Sequence, residues 1–135
     1  MRRVIQPEGW PRPKGYANGV AATGEVLFIA GQIGWGTDEK LVSDELVPQF
    51  EKALENVAAV LRAAGGSPEH IARVTIYVTD KTVYKAATRA IGEAWQRVLG
   101  KVFPAMSLVQ VADLLEDGAL VEIEATAVLP ARAGA

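Results

Sequence analysis

The sequence predicts an α+β fold, a mixed β-sheet with two helices packed on one of its faces. Apolar residues recur every three or four positions over 43–64 and again over about 80–99, which is the period of an amphipathic helix. Apolar and polar residues alternate over 71–79 and 121–127, the period of a strand with one face in a core. The order of elements is several strands, helix, strand, helix, two strands. Right-handed crossovers place both helices on the same side of such a sheet and leave its other face bare.

Taken in order, residues 3–6 read as a short edge strand. The segment 7–15, with Pro7, Gly9, Pro11, Pro13 and Gly15, is too dense in proline and glycine for either regular ladder. Trp10 in this loop either plugs it or lines a pocket rim, and Arg12 and Lys14 are the local cations. Residues 16–23 form a strand, Gly24 and Glu25 a tight turn, and 26–33 a second strand. Along the latter, Val26, Phe28 and Ala30 share one face and Leu27, Ile29 and Ile33 the other, so it is apolar on both sides. Gly31 and Gly34 mark a bend or a close backbone approach at its end, without the spacing of a phosphate-binding loop.

The first helix runs over 43–64, capped by Ser43 or Asp44, with Pro48 in its first turn and Gly65 as its stop. Its buried stripe is Leu46, Phe50, Ala53, Leu54, Val57, Ala58, Leu61 and Ala64. A strand over 71–79 follows. Asp80 or Thr82 then opens a second helix to Leu99, with Val83, Ala87, Ala90, Ile91, Ala94 and Val98 inward and Gly100 as its stop. The last two strands, 107–112 and 120–128, flank the turn-like Glu116-Asp117-Gly118 and read as an antiparallel hairpin. In the final strand Val121, Ile123, Ala125 and Ala127 point one way, and Glu122, Glu124 and Thr126 the other. Those two carboxylates are either solvated or sit in a site that uses their charge.

With 135 residues, 50% of them hydrophobic, the chain reads as one domain over 1–130 and a small-residue tail over 131–135. A formal charge of -2 gives no basic field for nucleic acid. The absence of cysteine excludes a disulfide framework, a thiolate nucleophile and a cysteine metal site. The single histidine, His70, follows Ser67-Pro68-Glu69 and reads as a loop or helix-start residue rather than part of a triad. No apolar run has signal-peptide or membrane-spanning length, so the expectation is a soluble, cytoplasmic protein with no membrane partner, no cofactor and no metal. A sheet face as apolar as Val26, Phe28 and Ala30 calls for a cover, and copies of the same chain are the economical one.

Four stretches, Tyr16-Ala17-Asn18-Gly19-Val20, Ala30-Gly31-Gln32-Ile33, Phe103-Pro104-Ala105-Met106-Ser107 and Val121-Glu122-Ile123-Glu124-Ala125, together resemble the successive signatures of the RidA (YjgF/YER057c/UK114) family. The resemblance spans nearly the whole chain. It implies a chorismate-mutase-like fold, a homotrimer around a central β-barrel, and clefts between subunits that hold a small molecule. It also implies hydrolysis of reactive enamines and imines, such as 2-aminoacrylate, to a keto acid and ammonia. Tyr16 matches the family's cleft tyrosine, Gly31 the glycine whose backbone faces the ligand, and Glu122 the glutamate that positions the attacking water. Met106 stands where the deaminase branch has arginine, Leu108 at its cleft cysteine, and Arg89 at a polar helix position.

The lost arginine has a physical consequence. A guanidinium grips a carboxylate through two parallel hydrogen bonds, and a thioether makes neither. The loss is worth on the order of a few kcal/mol in binding a small carboxylate unless Arg89, Arg12 or Lys14 reaches in. Met106 and Leu108 share a strand face, so the cleft suits an apolar or aromatic ligand, with Trp35 as a candidate wall. The expected activity is thus water-dependent hydrolysis of an enamine or imine other than 2-aminoacrylate. The alternatives are a trimer that binds a metabolite without turning it over and, third, an endoribonuclease or translation inhibitor, which the charge balance disfavours.

Overall fold

The structure, a computed structural model, describes residues 2–131. The predicted tail therefore lies, from residue 132 on, outside the described residues. In chain order the elements are β1 (Arg2–Ile5), β2 (Gly19–Ala22), β3 (Glu25–Gln32), α1 (Leu46–Ala63), a 3-10 turn (Pro68–His70), β4 (Ile71–Val78), α2 (Lys81–Ala86), α3 (Thr88–Leu99), β5 (Ala105–Gln110) and β6 (Val121–Leu129). The predicted architecture is the observed one: a mixed four-stranded sheet with the helices against one face, and a small β1-β2 ribbon beside it.

The strand order β3-β6-β4-β5 corrects the expected hairpin. β5 and β6 do not pair; β4 lies between them, parallel to β5 and antiparallel to β6. The reason lies in the connection. Val111 N–H donates to Val78 O and Thr79 N–H to Leu120 O, so residues 111–120 step across the end of β4 instead of folding back in a tight turn. β6 alternates buried and half-buried residues along its whole length and pairs on both edges, with β3 and with β4. The strand expected over 16–23 also shortens. Only β2 remains, paired with β1, and Ala17 joins the far edge of the main sheet by a single parallel bridge to Ala105.

α1 buries the predicted stripe except Ala64, which is its exposed C-cap, and adds Gln49. Its N-cap is Glu45, without a side-chain bond; the Ser43 hydroxyl accepts the Glu45 amide just before the helix instead. The second helix breaks in two at Ala87, whose amide turns back three residues to Tyr84 O. Asp80 caps the first piece through the Thr82 and Val83 amides. The second piece buries Ile91, Ala94, Trp95 and Leu99, with Trp95 Nε1–H donating to Val102 O at 3.0 Å. Val83, expected inside, is exposed.

The core lies between these helices and the inner sheet face, built on Phe50, Leu54, Leu61, Ile76, Val121 and Ile123, all without solvent contact. On the outer face Phe28 keeps 79% of its surface exposed and Val26 50%. His70 does what its position suggests: its Nδ1 accepts the Ser67 amide at 3.1 Å and closes the 3-10 turn.

Candidate functional site

β5 determines where two of the candidate side chains go. In register with Val74 and Ile76 of β4, Met106 and Leu108 face the helices, whereas Ala105 and Ser107 face outward with Arg73 and Thr75. Tyr16 reaches the same region because Ala17 N–H donates to Pro104 O at 2.9 Å, tying the 7–15 loop to the start of β5. Between this edge and the helices opens a cavity of about 640 Å³. Tyr16, Phe50, Tyr84, Trp95, Met106 and Leu108 form much of its wall. Tyr84 packs edge-on against Phe50, with ring centroids 6.4 Å apart.

Three of the residues expected at the site, Tyr16, Met106 and Leu108, thus converge. Glu122 and Gly31 converge elsewhere. Glu122 lies opposite Tyr77 on β6, on the outer sheet face. Gly31 is where the β3 backbone passes over it, so close that a Cβ there would stand 2.5 Å from Oε2 of Glu122. Glycine is what lets the carboxylate lie against the strand. Within one chain the two groups are on opposite sides of the sheet.

Trp35 and Arg89 join neither group. Trp35 is held in the loop after β3, where its carbonyl accepts from Asn56 Nδ2 at 2.9 Å. Arg89 points to solvent, with 96% of its side chain exposed, beside Glu93. Of the three cations expected as possible partners for a substrate carboxylate, Lys14 borders the cavity and Arg12 and Arg89 do not. Sequence reasoning missed two others, Lys81 and Lys85, which also border it. Their spacing of four on an Asp80-capped helix was the available signal, since it puts both on one side.

The outer face has a hydrogen bond of its own, from the Tyr77 hydroxyl to Glu124 Oε1 at 2.6 Å. That bond, then burial and the neighbouring carboxylates, raises the Tyr77 pKa above its usual 10.0, because each disfavours the phenolate. Burial alone raises that of Tyr84. Since the folded value of Tyr77 exceeds the unfolded one, the contribution of this bond to stability is complete below pH 10 and is lost as pH rises through the raised value. Absorbance titration at 295 nm should show two phenols ionising late, and Glu124→Gln should move one of them back toward the ordinary range. Superimposable curves for parent and variant would mean that the bond is not made in solution.

Among the described residues no group of three or more histidine, aspartate or glutamate side chains is placed to hold a metal ion. No helix among them is long and apolar enough to cross a membrane.

Comparison with known proteins agrees with this architecture. Residues 11–129 match the sequence profile of the family described as endoribonuclease L-PSP. The chain is 34% identical over 128 residues to the RutC family protein UK114 of Drosophila melanogaster, covering 94% of this chain and 89% of that one. It is 35% identical over 129 residues to a 2-iminobutanoate/2-iminopropanoate deaminase of Salmonella typhimurium, covering 95% and 98%. The crystal structure of the Rid-family protein YyfB from Yersinia pestis superposes with a TM-score of 0.84 at 35% identity, over 95% of this chain and 98% of that one. With that profile matched over most of its length and its sheet and helices shared with a Rid-family crystal structure, the chain belongs to the endoribonuclease L-PSP family, the group of YjgF, UK114 and RidA.

Proposed function

We propose that the protein is a homotrimer whose clefts between subunits bind a small metabolite and hydrolyse an enamine or imine other than 2-aminoacrylate. The observation that carries this reading is the division of the candidate residues. The cavity at Met106 and the Gly31–Glu122 pair occupy opposite faces of one sheet, so a cleft containing both needs two copies. The exposed Val26 and Phe28 supply surface for such an assembly. In the cleft Glu122 takes a proton from water as the water oxygen bonds to the imine carbon and the C=N electron pair moves to nitrogen, which receives that proton back from Glu122. The hydroxyl of the resulting carbinolamine then gives its proton by way of Glu122 to the same nitrogen as the C–N bond breaks, so ammonia leaves, a carbonyl compound remains and the carboxylate is restored. Relatives named as iminobutanoate and iminopropanoate deaminases lend support to this chemistry.

Met106 directs the choice of substrate, since a small imino acid finds no bidentate partner there. Met106→Arg is expected to raise ammonia release from 2-aminoacrylate by roughly tenfold to a hundredfold, the worth of one charge-assisted contact. A panel of freshly generated imines, assayed for ammonia and carbonyl product, tests the reading, and light scattering should give three times the 14.4 kDa chain. A particle of one chain mass would remove the cleft and the mechanism with it. The same Met106 favours a second reading, a trimer that binds without turnover, for which ligand affinity would survive while every imine stays intact.

A further inference from the structure

We propose that the cavity beside Met106 recognises its ligand by an anionic end, a carboxylate carried on a bulky apolar or aromatic body, and that Lys14, Lys81 and Lys85 supply the positive charge; this rests on reading that cavity as the ligand side of the cleft. Three lysines border one cavity, and no aspartate or glutamate does. In a chain with 16 acidic and 14 basic residues, that segregation leaves a local excess of three positive charges on an otherwise acidic molecule.

Among the described residues, the lysine and arginine ion pairs are Lys52–Glu55, Arg89–Glu93 and Arg97–Glu51, so none of the three cavity lysines is neutralised. The nearest carboxylate in sequence, Asp80, is engaged in capping the Thr82 and Val83 amides. The backbone at Lys81 is fixed to the cavity's own strand, because its N–H donates to Gln110 Oε1 at 2.8 Å. Lys85 stands one turn further along the same helix.

The rest of the lining sets the body of the ligand. Phe50, Ile91, Trp95, Phe103, Met106 and Leu108 present aromatic and aliphatic surface, and about 640 Å³ exceeds what a three-carbon acid fills. Between the two α2 lysines the Tyr84 hydroxyl has no hydrogen-bond partner among the described residues, and it can donate to a ligand oxygen. An apolar body with a carboxylate matches both halves of this lining. A small acid leaves the wall uncovered, and a neutral apolar molecule makes no contact with the charge of the three exposed ammonium groups at the cavity's border.

The test is calorimetric titration of the full-length protein with phenylpyruvate, its methyl ester and pyruvate at two salt concentrations. Phenylpyruvate should bind, more weakly at high salt, with the ester and pyruvate each at least about tenfold weaker. Lys81→Met and Lys85→Met should each weaken phenylpyruvate by roughly three- to tenfold and the ester by less, with Lys40→Met, outside the cavity, as the unchanged control. An ester that binds as tightly as the acid, or a Lys81→Met/Lys85→Met double variant that matches the parent, overturns the proposal. Because binding is read without turnover, a protein that hydrolyses no imine but binds as described loses the hydrolytic reading and keeps this one. Imine hydrolysis with an unchanged KM in the double variant does the reverse.

Discussion

Gln49→Leu is expected to lower stability by about 2–4 kcal/mol, since it removes three hydrogen bonds of roughly 0.5–1.5 kcal/mol net each, two of them to the half-buried Ser43 and Leu120 and one to the exposed Gly118. Gln49 is fully buried on α1. Its Nε2 donates to Ser43 O and to Gly118 O, each at 2.9 Å, and its Oε1 accepts the Leu120 amide at 2.8 Å. One side chain thus holds the approach to α1 and the segment that crosses over β4 to reach β6. Leucine has a similar volume, so the packing term changes little and the lost hydrogen bonds dominate. The backbone of Gln49 is also where Gly34 packs, since a Cβ on Gly34 would lie 2.5 Å from Gln49 Cα. Thermal melting should show a drop of roughly 10–20 °C for a chain of this size, and the Leu120 amide should lose much of its protection from hydrogen exchange. A drop of only a degree or two would show that the three backbone groups find other partners.

Glu122→Gln is expected to cut turnover of any imine that the protein hydrolyses by about two orders of magnitude or more, the usual worth of a positioned general base. The amide keeps the shape of the carboxylate and still fits over Gly31, where there is no Cβ to meet it. It cannot accept a proton from water. Melting temperature and assembly state should therefore stay near those of the parent, and phenylpyruvate affinity, assigned to the lysines, should change little. The rate and the affinity must be measured together: equal losses in both would make Glu122 a binding group instead of a base. Undiminished turnover would move the chemistry to another residue. Gly31→Ala complements this test by pressing a methyl group against Oε2 of Glu122 from the other side.

Much of the fold was legible because periodicity is a local property. The α1 stripe from Leu46 to Leu61 and the alternation from Val121 to Ala127 state which side of each element is inside, whatever it packs against. The bare outer face followed from the handedness of the crossovers, and its apolar character from the alternation of Val26 and Phe28. Gln49 was not legible, because a glutamine beside an apolar stripe looks like the edge of a solvated face until the carbonyls it serves are brought to it from positions 43 and 118. The hairpin failed for a related reason. Glu116-Asp117-Gly118 has turn chemistry, but pairing partners are chosen by edge availability, and both edges of β6 were taken by β3 and β4.

For the site, the sequence alone determined the residue types: a methionine and a leucine on one face of a strand, a glutamate on the last strand, and a glycine on the strand that passes over it. Tertiary structure decided where they stand. The parallel register of β5 on β4 turns Met106 toward the helices, while the antiparallel register of β6 turns Glu122 away from them. It also gathered Lys14, from a loop, with Lys81 and Lys85, from a helix more than sixty residues later, around one cavity. A side chain's face is fixed by its own neighbours in sequence, but its companions are fixed by strand pairing, which depends on every other strand in the sheet.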